Sequence, residues 1–317
     1  MKIEALNSSS RSRLRCLIWL CCLLLAACGS APTQQREARA PVAPTVAVTA
    51  TTTIAITATT TIAATATPTA APTPTVALPR VQSVDLTPLF AGYQGCFVLF
   101  DISNNAYTRH NDPQCAKQLS PCSTFKIPHA LIGLDLGLLR DREHPKRWDG
   151  TVYRIQAHNQ DHTLASAMSN SVVWYFQSLA GEIGEERMTD YLDRLSYGNR
   201  DISGGLTEFW LQSSLTISAD EQITFLRRLY ADDLPVAQHA LDTIKSILIL
   251  AENEAGILRG KTGSCRDGEH RWGWFVGYVE RGERAYVFAT NIEADAPADG
   301  REAQRITEDV LRQLKLW

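Results

Sequence analysis

Hydrophobic and polar positions change rhythm along the chain, and each change marks an element. "GCFVLFD", Gly95 to Asp101, is a dense apolar run followed by the turn residues "SNN" and then "AYTRH", which predicts a β-hairpin early in the folded region. A second hairpin is predicted near the other terminus, where "WGWFVGYVE" (Trp272 to Glu280) and "AYVFATNIE" (Ala285 to Glu293) are joined by "RGER". Between roughly Lys126 and Leu250 most segments read as helical. Ile127, Leu131, Leu134 and Leu138 recur at i, i+4, i+7 and i+11, the pattern of a helix with a deeply buried face. The closing stretch, with Ile306, Val310, Leu311 and Leu314, has the same spacing. Strands at both ends of a helical middle imply an α/β (α+β) domain: one antiparallel sheet assembled from both termini, flanking helices, an inserted helical lobe, and a cleft between them.

The pattern before this region differs. Arg11, Arg13 and Arg15 precede "CLIWLCCLLLAA", Cys16 to Ala27, an apolar run too short to span a bilayer and of the right length for a signal-peptide core, so residues 1–27 are read as a signal peptide. "LAAC", Leu25 to Cys28, resembles the lipobox of bacterial lipoproteins, which implies cleavage before Cys28 and lipidation of that cysteine. Ordinary signal cleavage at an A-x-A-like site is the alternative. From Ser30 to about Arg80 the chain is nearly all Ala, Thr, Pro and Val, with a near-duplicated octad at Ala50 and Ala58. Such a tract cannot bury a core, so residues 28–80 are read as a lipidated anchor and disordered tether, and residues 81–317 as the folded domain. The expected location is an exported, membrane-anchored lipoprotein on the periplasmic or extracellular face.

Composition narrows the function classes. The chain has 317 residues, a formal net charge of −3 and 44% hydrophobic residues, which suits one ordinary domain or two small ones and offers no basic face for nucleic acid. Whether it is a monomer or a dimer is not written in the sequence. Cys96, Cys115, Cys122 and Cys265 fall in the domain, where export permits disulfides. Pairing about the "SNN" turn brings Cys96 opposite residues near Asn111, so a Cys96–Cys115 bond and two free buried thiols are both open. Cys122, next to Ser123 and without a histidine placed by any motif, is read as a small buried side chain. His158 and His162 stand four apart but have no third ligand, so no metal is expected.

Chemistry enters at "SPCSTFKIPHALIGLDLGLL", Ser120 to Leu139. Residues three apart on a helix share a face, so the Lys126 amine can reach the Ser123 hydroxyl at the start of the predicted helix, while burial beside Phe125 lowers the amine's pKa toward a usable base. S-x-x-K alone is a short pattern that also fits a capped helix with a surface lysine. Three further segments follow in order: "SVV" at Ser171 to Val173, "YGN" at Tyr197 to Asn199, and "KTGS" at Lys261 to Ser264.

Together with "CSTFKIP", "RWDG" (Arg147 to Gly150), "YGNRDISGG", "FWL" from Phe209, "ISADEQ" from Ile217 and "GWFVGY" from Gly273, these segments resemble the class D, or OXA-type, serine β-lactamases over essentially all of 81–317. The resemblance implies the penicillin-recognising serine enzyme fold, β-lactam substrates and a place in antibiotic resistance. It implies that Ser123 is the nucleophile, that the backbone amides of Ser123 and Ser264 form the oxyanion hole, and that Ser171 relays a proton. Lys126 would take up carbon dioxide or bicarbonate as a carbamate and act as general base, in a pocket lined by Phe125 and Val173. Lys261, Thr262 and Gly263, with Tyr197 and Asn199, would hold substrate.

Two departures stand out. Aligning "AHNQDHTL" puts His158 where most members carry a tryptophan that holds the carbamate, which predicts a weaker hold and activity responsive to bicarbonate. Arg301 and Arg305 flank the place of the carboxylate-binding arginine, and Arg301 is the one taken here as substrate-binding. Penicillin-sensing receptors, acylated but hardly deacylated, share much of the same pattern and are the runner-up; D,D-peptidases fit "YGN" less well. The apolar Val173 favours the enzyme, because sensors carry a polar residue there.

Overall fold

The computed structural model describes residues 78–295 and 297–317. The expectations for Cys28, for residues 1–27 and for nearly all of the 28–80 tether lie outside the described residues. Among the described residues, no helix is long and apolar enough to cross a membrane.

The strands are β1 (Arg80–Ser83), β2 (Gln94–Asp101), β3 (Ala106–His110), β4 (Pro145–Lys146), β5 (His162–Thr163), β6 (Ile249–Asn253), β7 (Gly256–Asp267), β8 (His270–Arg281) and β9 (Arg284–Ala294). The helices are α1 (Asp112–Ala116), α2 (Lys126–Asp135), α3 (Leu164–Ser169), α4 (Val173–Ile183), α5 (Glu185–Leu195), α6 (Ala219–Tyr230), α7 (Gln238–Ile247) and α8 (Gly300–Gln313). Both predicted hairpins form, as β2–β3 and β8–β9, and β2 pairs antiparallel with β9 so that the two termini build one sheet. The seven-stranded order is β1-β3-β2-β9-β8-β7-β6, with the short β4–β5 pair separate. Sequence reasoning missed β1, which runs parallel to β3, and β6; most of their residues are exposed, so neither carries the apolar signal that marks the inner strands.

The inner strands read as continuous apolar runs because both of their faces are buried. Successive side chains on a strand point to opposite faces. One face presents Cys96, Val98 and Phe100 from β2, Trp272, Trp274, Val276 and Tyr278 from β8, and Val287 and Ala289 from β9 to the helical lobe. The other presents Phe97, Leu99, Phe275, Val279, Tyr286, Phe288 and Ile292 to Ile306, Val310 and Leu311 of α8. Within the lobe α2 stops at Asp135, short of the predicted Leu138. Gly137 takes φ +70 just past the last turn, the left-handed conformation that ends helices, and so carries Leu138 out of the spiral.

Two disulfides cross the domain. The β2–β3 register sets Phe97 opposite His110, so Cys96 faces the entry to α1, which brings Cys115 back to a Cα–Cα distance of 5.2 Å and resolves that open pairing as a bond. The second bond corrects the reading of Cys122 as an unpaired side chain: it joins Cys265, with Cα atoms 6.0 Å apart across a sequence separation of 143. Nothing in local spacing signals this pairing, because it exists only once the turn before α2 docks on β7.

Candidate active site

The site lies where β7 loses its outer neighbour. β6 pairs with β7 only from Gly256 to Arg259, so Lys261–Ser264 have β8 on one side and, among the described residues, no strand on the other. The turn Cys122–Phe125 fills that edge, main chain against main chain. A Cβ on Gly263 would lie 2.7 Å from the Pro121 carbonyl oxygen and 3.1 Å from Thr124 Cγ2, so only glycine permits the approach.

Ser123 is half-buried in a 3-10 turn that runs directly into α2, whose first residue is Lys126. Lys126 Nζ stands 2.8 Å from Ser123 Oγ. The lysine is fully buried, and burial, reinforced by the charge of Lys261, holds its pKa well below the ordinary lysine value. Around it the aromatic side chains close a cage. The Phe125 ring lies 4.4 Å from that of His129, 5.1 Å from Phe209 and 6.0 Å from Trp210, and the Lys126 Nζ is 5.4 Å from the Phe176 centroid. An amine whose pKa is lowered by burial, within hydrogen-bond reach of a hydroxyl, is placed where it could act as a base toward that hydroxyl.

A second pair faces the first. Ser171 sits between α3 and α4 with φ +57, a left-handed conformation uncommon for serine, and its Oγ is 3.1 Å from Lys261 Nζ. Lys261 also donates to the Thr262 carbonyl at 3.0 Å, and burial pushes its pKa down to about 7. Four of the predicted residues therefore converge as two amine–hydroxyl pairs, with Thr262 half-buried beside them on β7. Ser264 is exposed, and its Oγ accepts from the Gly300 amide at 2.9 Å, which fixes the start of α8 against the strand.

Other expected residues fall elsewhere. Tyr197 is fully buried, its ring 5.4 Å from Phe125 and its hydroxyl accepting from Gln222 Nε2 at 3.3 Å, so the structure removes it from substrate contact. Asn199 is exposed, but its amide clips a loop: Nδ2 donates to the Ser214 carbonyl at 2.8 Å and Oδ1 accepts from the Thr216 amide at 3.0 Å. "YGN" is thus scaffolding in this chain. Arg301 lines a surface groove with Tyr93, Asp299, Glu302 and Arg305 that contains none of the four converging residues. Val173 opens α4 half-buried, two residues beyond Ser171.

His158 does not take the place expected of it. Its Nε2 lies 3.0 Å from the Asn170 carbonyl, and burial, with a smaller contribution from the Lys126 charge, lowers its pKa. His162 is likewise committed, to Ser166 Oγ at 2.9 Å and to the Ala157 carbonyl at 2.8 Å, and no cluster of three metal-ligating side chains occurs among the described residues. The residues that sequence reasoning missed are Trp210 and His129. Both are fully buried in the Lys126 cage, with ring centroids 4.5 Å apart, and the Trp210 Nε1 and both His129 ring nitrogens have no hydrogen-bond partner among the described residues. An orphaned indole N–H in a packed core is costly, so the Trp210 donor is open to a polar partner. The signal was present in the "FWL" segment, which contains Trp210.

Comparison with known proteins identifies the family. Residues 95–312 match the penicillin binding protein transpeptidase domain. The probable β-lactamase YbxI of Bacillus subtilis (strain 168) is 42% identical over 236 residues, 74% of this chain and 86% of that protein. The chain belongs to the class D serine β-lactamase family. The solved class D β-lactamase BAT-2 is 42% identical with a TM-score of 0.70, covering 74% of this chain and 97% of that one. The regulatory protein BlaR1 of Bacillus licheniformis is 38% identical over 218 residues, 68% of this chain but only 36% of that protein. The family thus reaches this chain from enzymes and from a regulator alike.

Proposed function

We propose that this class D chain destroys β-lactam antibiotics by forming and then hydrolysing an ester on Ser123, with Lys126 as the general base. The observation that carries the reading is the fully buried, neutral-leaning Lys126 amine 2.8 Å from the Ser123 hydroxyl. On acylation the Ser123 Oγ adds to the lactam carbonyl carbon while its proton passes to the base at Lys126. The carbonyl electron pair moves onto oxygen, where the amides of Ser123 and Ser264 are the oxyanion donors of this reading. As the C–N bond breaks, Ser171 Oγ hands a proton to the leaving nitrogen and is resupplied by Lys261, whose Nζ is 3.1 Å away. Lys261 and Thr262 hold the substrate carboxylate.

The residues around Lys126 also fit carboxylation of its amine by carbon dioxide. The amine is neutral-leaning, as that addition requires, and the unpartnered Trp210 Nε1 donor and the His129 ring nitrogens share its cage and would hold the added group. The group supplies an anionic base strong enough to activate the deacylating water. Trp210, rather than His158, is the residue proposed to retain it. The membrane anchor at Cys28 and an exported location remain part of the same proposal.

The test is hydrolysis of a chromogenic cephalosporin by the full chain across a bicarbonate series. Repeated turnover that rises with bicarbonate, and is lost in Ser123→Ala and Lys126→Ala, is the expected result. The similarity to BlaR1 supports a second reading, a domain acylated without turnover, and a single stoichiometric burst would favour it.

A further inference from the structure

The bond between Cys122 and Cys265 stands at a place that a general staple would not need. Cys122 immediately precedes Ser123, and Cys265 immediately follows Ser264. In the proposed reaction these neighbours carry the two backbone amides of the oxyanion hole, and they sit on separate elements, the turn before α2 and the strand β7. Along Lys261–Ser264 the strand lacks a second ladder partner among the described residues, so its position against the turn depends on what crosses that gap. The crossings are the close main-chain approach at Gly263 and this disulfide. Cys122 itself holds φ +47, a left-handed conformation that a cysteine adopts at a cost, and its amide donates to the Trp210 carbonyl at 3.0 Å. Two residues earlier, the Ser120 carbonyl accepts from both Trp272 Nε1 and Trp274 Nε1 at 3.0 Å, so the approach to the turn is pinned to β8 as well. The cysteine is thus fixed from the Trp210 side and bonded to the strand.

From this arrangement we infer that the Cys122–Cys265 disulfide is a positioning element for the reaction: it sets the separation of the Ser123 and Ser264 amides. The inference rests on the reading of Ser123 as the nucleophile. An oxyanion hole works only if both donors reach about 2.7–3.1 Å from one developing oxygen, and losing a single donor costs roughly 100- to 1,000-fold in rate. A bond that joins the flanking residues makes the donors move together, whereas without it each follows its own element. The Cys96–Cys115 bond, which ties β2 to α1, touches neither donor and provides an internal control.

The experiment uses the full chain, a Cys122→Ala/Cys265→Ala double variant and a Cys96→Ala/Cys115→Ala double variant. Acylation by a slowly deacylated β-lactam is followed by stopped flow, and the infrared stretch of the acyl-enzyme carbonyl is recorded. Both variants should melt at lower temperature. Only the first should acylate at least about tenfold more slowly, part of the full donor loss, and shift the ester carbonyl to higher wavenumber as its hydrogen bonds weaken. An unchanged stretch with acylation within twofold of wild type would overturn the inference, and so would a domain that cannot fold without the bond, since the bond would then be a general staple. Failure of the unmodified chain to acylate at all would instead overturn the reading of Ser123, and this inference with it.

Discussion

Replacing Lys261 with methionine should make the protein more stable while making it inactive. Lys261 is buried beside a second buried lysine, and burial brings its pKa from the ordinary 10.5 to about 7. At roughly 1.4 kcal/mol per pH unit, that difference is a cost to folding of about 5 kcal/mol wherever the lysine is protonated in both the folded and the unfolded chain. The sign is fixed by proton counts. Between pH 7 and 10.5 the unfolded chain holds a proton that the folded domain has shed, so stability rises with pH; the cost is complete below about 7 and gone above about 10.5. Methionine fills similar volume without the charge. It gives up the hydrogen bonds to Ser171 Oγ and to the Thr262 carbonyl, worth about 1 kcal/mol each. The net gain at pH 6 is then about 3 kcal/mol, or roughly 6–12 °C in Tm for a domain of this size. Near pH 10 the ranking should invert, with the variant less stable by about 1 kcal/mol. Thermal melts of both proteins at the two pH values measure this directly. A variant less stable at pH 6, or a difference independent of pH, would refute the claim that burial holds this lysine close to neutrality.

Trp210→Phe removes the unpartnered indole donor, so the bicarbonate concentration for half-maximal turnover should rise by about 10- to 100-fold, the worth of one hydrogen bond to a charged group. His158→Ala, whose ring is already engaged by Asn170, should leave that concentration within about twofold, and a bicarbonate titration of the two variants separates the roles. Tyr197→Phe should lower stability by about 1 kcal/mol in urea melts through loss of the bond from Gln222, with KM unchanged because the ring never meets substrate. Removing Cys96–Cys115, which spans 19 residues, should cost about 3 kcal/mol by the same melts.

What the sequence made legible was whatever is local or repeats on a short period. The β2–β3 and β8–β9 hairpins follow from apolar runs around turn residues, and the Ser123–Lys126 pair follows from helical geometry acting over one turn. Even the Cys96–Cys115 bond was within reach, since a hairpin register fixes one partner. What stayed hidden depends on packing between distant segments. Cys122 meets Cys265 only through docking of the turn on β7. "YGN" reads as a substrate loop until the fold places Tyr197 in the core and spends the Asn199 amide on the loop itself. The exchange of His158 for Trp210 has the same cause: position along a motif was taken for position in space, and the indole that reaches the lysine cage comes from the segment before α6, about fifty residues further along.

Intact mass spectrometry of the full chain, sampled during and after reaction with excess benzylpenicillin, bears most directly on the central claim. A penicilloyl adduct on Ser123 that appears, is renewed through many turnovers and vanishes when the drug is exhausted is the predicted result. No adduct would contradict the assignment of the nucleophile, and a stoichiometric adduct that persists would contradict hydrolysis and mark the domain as one that captures penicillins without destroying them.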